Sequence, residues 1–421
     1  MKEAYAYTRK VCFTAYVAMA PVFCVPSMLF VTFHTLYGIS YTLLGTLVLI
    51  NFCTQLSIDL VFTFRGDRFD LKRTLTVMPL LTALGLVLYG VLPQLWPEAA
   101  FAGLAAGTVI FSVSAGLSEV LLSPVIAALP SEHSERDLSF LHATYGAGVI
   151  LDVLLLTLFF RIFGRENWTY LVLLLSIFPV VTAVMFSRCT LPEMSFAAEA
   201  GSKGRSGRGV GLALCVICIF LGGTCEASMT NWISGFLEKG IGLDKAYCDL
   251  VGIAIFAGLL GMTRFLYSRI GKNIERVMLL SFGGCALSYL AAGLCPNAFG
   301  AALACILTGA FCAMLFPGTL MVMEHYMPGL GVSAYALMAA GGDLGASVAP
   351  QLLGAAADRI SMSGWGARLG DRLALTREQI GLKSGMVLTA IYPLLGILVI
   401  LAIRRYFKKR RAEDEDGGDL I

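Results

Sequence analysis

Charge is what this chain has least of. Asp, Glu, Lys and Arg make up 14% of its 421 residues against 57% hydrophobic ones, and the mean hydropathy is +0.78. A water-soluble chain carries about 25% charged residues, because its surface must be wet. The shortfall excludes a soluble globular protein and leaves lipid as the covering of most of the surface. Catalytic signatures are missing too. There is no GxxxxGK phosphate loop, no HExxH, no GxSxG and no sizeable polar domain, so neither ATP-driven work nor hydrolysis is expected, and the chain is not read as an enzyme. Histidine occurs only four times. The twelve cysteines include one CxxC, Cys215 and Cys218, inside a continuous apolar stretch with no second pair at metal-ligand spacing. They read as small buried hydrophobes, and no metal, cofactor or disulfide framework follows from them. A net charge of +3 gives no reason to expect nucleic acid as a partner.

In place of charge stand twelve apolar stretches, near residues 11–33, 41–64, 74–92, 99–129, 138–160, 168–187, 210–236, 247–268, 275–294, 298–323, 331–357 and 385–406. A helix needs about 20 apolar residues to cross the hydrocarbon of a bilayer. The chain is therefore read as an all-α membrane protein of twelve transmembrane helices. The motif AMA at 18–20 resembles a signal-peptidase site, but the apolar run continues through Phe33, so the first helix is expected to be retained. An even number of spans puts both termini on one side. Most of the 31 basic residues lie in the connections on that side, including Arg65, Arg68, Lys72 and Arg73, and the run Arg404, Arg405, Lys408, Lys409, Arg410 and Arg411. Positive charge marks the cytoplasmic face. Both termini are expected in the cytoplasm, with the chain multi-pass in a plasma membrane, the bacterial cytoplasmic membrane.

The chain also repeats itself. Residues 188–209 carry EAGSKGRSGRG, a flexible solvated linker, and divide the sequence into bundles at 1–187 and 210–421, the second ending in the basic cytoplasmic tail. Pro124 answers to Pro317, and Glu132 with His133 to Glu324 with His325, at an offset of about 190 residues. Gly146 and Gly148 answer roughly to Gly341 and Gly342, and Arg68 to Arg269. Landmarks in matching order argue for two pseudo-symmetric six-helix bundles, the plan of many secondary transporters, which enclose a cavity opened to each side in turn.

Five acids interrupt the apolar stretches: Asp59, Glu119, Asp152, Glu226 and Asp343. An acid near the bilayer centre costs about 2.5–3.5 kcal/mol. Such a cost is met by proton or ion handling, by contact with substrate, or by pairing with a buried base. Arg264 is the basic residue available inside a span to pair with one of them. Glu119, Glu226, Asp343, His142 and Asp152 are the candidates for proton coupling or substrate contact, Glu119 first, because Pro124 follows it on the same helix. Asp59 and Asp152 also have a structural reading. Sugars are held by amide, carboxylate and hydroxyl groups together with an aromatic face. Asn51, Tyr145, Asn231 and Trp232, with His142, carry such groups, although packing accounts for aromatics equally.

Between the second and third spans the chain reads GDRFDLKR, residues 66–73. This resembles the loop signature of the major facilitator superfamily, with Asp67, Arg68 and Lys72 at matching positions and departures at Thr63, Arg65, Asp70 and Leu71. SRIGK at 268–272 resembles its weaker second copy. The resemblance implies a conformational latch formed by Asp67, Arg68, Lys72 and Arg269. GLSEVLLSPVIAALP with Glu119, LHATYGAG with His142, GGTCEASMTNW with Glu226 and Trp232, and GGDLGASVAP with Asp343 together resemble the fucose-permease-like branch of sugar porters. Ser123 and Ser139 stand where that branch has Asn. Its carboxylate in the first helix has no counterpart here, since residues 11–33 contain no acid, so fucose itself is not the expected solute.

The expected function is secondary active transport, proton-coupled uptake of a sugar or sugar-like polar solute by alternating access. The alternative is a proton-antiport exporter of drugs or metabolites. The partners are a small-molecule solute, protons or sodium, and the lipid bilayer; the chain is read as a monomer.

Overall fold

The computed structural model describes residues 2–39, 41–194, 208–243, 248, 252 and 254–418. Residues 195–207 of the expected linker, and 244–247, 249–251 and 253 around the start of the eighth expected span, lie outside them. The described residues form helices and turns, with no strand among them. The chain divides into two units, Met1–Ala200 with Leu330–Ala340, and Gly201–Gly329 with Gly341–Ile421. The first holds α1 (Lys2–Met19), α2 (Pro21–Tyr37), α3 (Tyr41–Arg65), α4 (Leu71–Leu95), α5 (Ala100–Ala128), α6 (Ser134–Phe163), α7 (Trp168–Leu175) and α8 (Ile177–Ser187). The second holds α9 (Arg208–Gly235), α10 (Ala254–Ile270), α11 (Ile274–Leu294), α12 (Ala298–Cys312), α13 (Leu315–Tyr326), most of α14 (Val332–Met362), α15 (Gly364–Leu373), α16 (Arg377–Thr389) and α17 (Ile391–Gly418).

Among the described residues, 10 helical stretches are long and apolar enough to cross a membrane. The two remaining expected spans are helical as well. α10 keeps 17 described residues of the eighth, and α14 has 31 residues, but Asp343 and its neighbouring glycines dilute its apolar character. Outward faces are apolar in stripes. Leu280, Leu287 and Leu294, two turns apart on α11, are 72%, 71% and 68% exposed, a pattern that water would penalise and hydrocarbon does not.

Proline explains why several spans consist of two helices. Its ring clashes with the carbonyl four residues back, and it offers no N–H. Helical hydrogen bonding is interrupted at Ala20 before Pro21, at Ser176 ahead of Pro179, at Ala313 and Met314 ahead of Pro317, and at Ala390 ahead of Pro393.

Inside each unit, glycine sets how closely the helices approach. A Cβ on Gly107 of α5 would lie 2.6 Å from the Tyr89 nitrogen of α4, and one on Gly223 of α9 would lie 2.5 Å from the Gly342 oxygen of α14. The backbones therefore touch directly, as small residues permit in membranes. Beside the α4–α5 contact, Phe33, Tyr89, Phe111 and Trp168 form a buried aromatic core, Phe33 and Trp168 meeting edge-on at 4.9 Å. Gly107→Val is expected to overpack this contact and to destabilise the protein by about 1–3 kcal/mol. Thermal unfolding in detergent measures it, and an unshifted transition would show that the helices can part without loss.

Candidate functional site

In the first unit the candidates cluster where α1, α2, α5 and α6 meet. Glu119 is half-buried on α5, one turn before Ser123, so the two share a face of that helix. The Ser123 hydroxyl lies 3.4 Å from His142 Nε2 on α6, and both are buried. His142 meets Tyr16 of α1 edge-on at 5.4 Å, and Tyr145, one turn along α6, meets Tyr16 at 6.3 Å and Phe23 of α2 at 5.8 Å. Gly148 brings α6 close to the first span, since a Cβ there would stand 2.9 Å from Ala20 Cβ and from the Val17 oxygen. Asp152 follows one turn later, beside Cys24 of α2. It is 5% exposed, and its Oδ2 has no hydrogen-bond partner among the described residues.

Asn51 is held elsewhere. Its side-chain oxygen accepts from Gln55 Nε2 at 2.8 Å and from the Ser112 hydroxyl at 2.7 Å, all three buried. Its neighbours are thus α3 itself and α5. Asp59, two turns further along the same face of α3, is wholly buried.

The second unit is organised around one ion pair. Arg264 of α10 reaches Glu226 Oε2 of α9 at 2.9 Å while its Nε donates to the Ala313 oxygen at 2.8 Å. The cause can be read from the sequence. In an unbroken helix the Ala313 carbonyl would accept from residue 317, which is proline and has no N–H, so the guanidinium takes up an orphaned acceptor. Arg264 is 4% exposed, and with two partners its charge and its Nε donor are met in the interior.

Trp232 is also engaged with backbone. Its indole nitrogen donates to the Pro350 oxygen of α14 at 2.9 Å, and a Cβ on Gly354 would lie 2.8 Å from the ring. Asn231 is exposed, and its amide donates to the Ala227 oxygen one turn back. Asp343 is 8% exposed on the glycine-rich part of α14, its Oδ2 without a hydrogen-bond partner among the described residues.

The loop residues stand apart from these clusters. Asp67 and Arg68 are exposed in the turn Gly66–Arg68, and neither forms an ion pair among the described residues. Asp70 caps α4, accepting from the Arg73 nitrogen at 2.7 Å, and Lys72 donates to the Cys189 oxygen beyond α8. Arg269 lies over the Phe265 ring at 5.2 Å. No group of His, Cys, Asp and Glu able to hold a metal occurs among the described residues.

The sequence matches the family model described as Major Facilitator Superfamily over residues 11–350. The chain belongs to the major facilitator superfamily. With the family come its fold, an all-α membrane protein of twelve transmembrane helices in two six-helix bundles, and its activity class, transport and not catalysis. A search of curated proteins gave no match. Among solved structures, the E. coli fucose:proton symporter FucP superposes with a TM-score of 0.72 at 13% identity, over 96% of this chain and 99% of that one. The proton:xylose symporter XylE, bound to 6-bromo-6-deoxy-D-glucose, gives 0.74 at 13%, over 96% of each. The human organic anion transporter MFSD10 gives 0.67 at 13%, over 94% of this chain and 99% of that one. At this identity the likeness establishes the superfamily fold alone.

Sequence reading had not singled out Tyr16, Phe23, Gln55 or Ser112, which stand directly against the candidates. Gln55 carried a visible signal, one turn from Asn51 in an apolar run. Tyr16 and Phe23 are ordinary aromatics of an apolar helix until the fold sets them beside α6.

Proposed function

We propose that this superfamily member is a proton-coupled symporter that takes up a sugar or sugar-like polar solute by alternating access. In this reading it works as a monomer in a bacterial cytoplasmic membrane, with both termini in the cytoplasm. The bundles at 1–187 and 210–421, joined by the linker 188–209, rock in the alternating-access cycle, with Asp67, Arg68, Lys72 and Arg269 as the loop latch. The observation that carries the reading is the cluster of the first unit. Glu119 stands one turn from Ser123, which touches His142, while Tyr16, Phe23 and Tyr145 supply aromatic surface beside them. An acid that can exchange a proton lies next to the hydroxyl, imidazole and aromatic groups that hold a sugar ring. Asp152 and Asp343 are further proton carriers in this reading, since each keeps a buried carboxylate oxygen without a partner among the described residues. Glu226, by contrast, is tied to Arg264, and its part in coupling is to exchange that partner.

FucP and XylE, named as sugar:proton symporters, support the solute class. MFSD10, named as an organic anion transporter, shows a solute class other than sugars on the same fold; the competing reading is a proton-antiport exporter of drugs or metabolites. The test is a panel of radiolabelled monosaccharides offered to proteoliposomes with an inward proton gradient. At least one sugar is expected to accumulate. If none does, and the same inward proton gradient instead drives a preloaded dye out of the vesicles against the dye's own concentration gradient, the exporter reading replaces this one.

A further inference from the structure

At the far end of α17 the chain builds a polar site apart from the candidate transport residues. Leu401, Arg404, Arg405 and Lys408 lie on one face of that helix, at spacings of three and four residues. With Glu275 of α11 and Tyr326 of α13 they line a cavity of about 410 Å³ within the second unit. Its walls are held in place. The Tyr326 ring stacks on Phe407 with centroids 4.4 Å apart and planes 6° from parallel, and its hydroxyl donates to Glu275 Oε1. Arg404 Nε reaches Glu275 Oε2 at 2.8 Å.

The lining has one carboxylate against three cations. Glu275 is already engaged by Arg404 Nε and by the Tyr326 hydroxyl, and neither Arg405 nor Lys408 forms an ion pair among the described residues. Glu275 also stands in the first turn of α11, so the positive end of that helix adds to the potential. The charges are therefore arranged for an anion with several oxygens, which guanidinium and ammonium groups bind with charge-assisted hydrogen bonds.

Depth in the membrane narrows the ligand. The apolar stretch Arg377–Arg410 carries α17 across the bilayer, and its basic run begins at Arg404, with the exposed Leu401 one turn deeper. The cavity thus lies where hydrocarbon gives way to headgroups, and basic pockets between helices at that level hold lipid phosphates. We propose that this cavity is a phosphate-binding site for the headgroup of an anionic phospholipid, with its acyl chains running past Leu401. Free inorganic phosphate shares the chemistry but does not need the apolar neighbour.

Native mass spectrometry of the detergent-purified full chain tests this. Wild type and the double variant Arg405→Ala, Lys408→Ala are each mixed with equal amounts of phosphatidylglycerol and phosphatidylcholine, and separately with inorganic phosphate. Both substituted side chains are exposed, and the Glu275–Arg404–Tyr326 network stays intact. The expected result is a preference for phosphatidylglycerol on the order of tenfold in wild type, lost in the variant. Phosphate adducts lost in the variant, with no lipid preference in wild type, would overturn the headgroup assignment in favour of a free anion. Equal retention of phosphatidylglycerol by both proteins, or no selective binding by either, would overturn the site altogether.

Discussion

Glu119→Gln is expected to abolish uphill accumulation of solute while counterflow exchange continues. Glutamine keeps the size of glutamate and its capacity for hydrogen bonds, but it cannot pick up a proton on one side and release it on the other. A membrane potential of 100 mV is worth about 2.3 kcal/mol per charge, hence a concentration ratio of about 50 when one proton moves with each solute. In the variant that ratio falls to about 1, because exchange needs only binding and reorientation. The prediction rests on the position of Glu119, half-buried on the face of α5 that presents Ser123 to His142. Accumulation at the wild-type level would remove Glu119 from coupling, and Asp152→Asn and Asp343→Asn in the same assay would show which acid carries the proton instead.

The second large effect concerns stability. Arg264→Ala should cost about 3 kcal/mol, because it strands the half-buried Glu226 without its cation. It also returns the Ala313 carbonyl to the unsatisfied state that Pro317 imposes. A loss of that size lowers a melting temperature by on the order of 10 °C. Adding Glu226→Gln to Arg264→Met should recover much of it, since removing both charges is far cheaper than removing one. Thermal unfolding in detergent decides, and a wild-type transition for Arg264→Ala would mean that the pair carries no structural weight.

Particular residues show how far the sequence could be read. Lipid demands apolar faces, so the positions of the spans were visible from composition alone. The interruptions at Ser176, Ala313 and Ala390 follow from Pro179, Pro317 and Pro393, each a local consequence of a missing N–H. The eleventh span is weaker as an apolar signal because α14 needs Gly341 and Gly345 to lie against α9 and Gly342 to clear Phe316 of α13, and glycine contributes little hydropathy. Arg264 stood out as a basic residue inside a span, but which acid it meets depends on the relative rotation of α9 and α10, which no periodicity contains. Asn51 offers an amide for solute in the sequence, and in the fold its oxygen accepts from Gln55 and Ser112. The first of these lies one turn away, and the second arrives only when α5 packs on α3. Trp232 is similar: its indole suits a sugar face in the sequence and finds the Pro350 carbonyl in the fold.

Movement of protons with solute is the claim on which the functional account stands. The most direct measurement is a pH-sensitive dye outside proteoliposomes that hold the protein, with no gradient imposed, as an accumulated sugar from the panel is added. The account predicts an immediate alkalinisation of the medium, abolished by a protonophore and absent in Glu119→Gln. Uptake of the same sugar with no change in external pH, or with acidification, would contradict it.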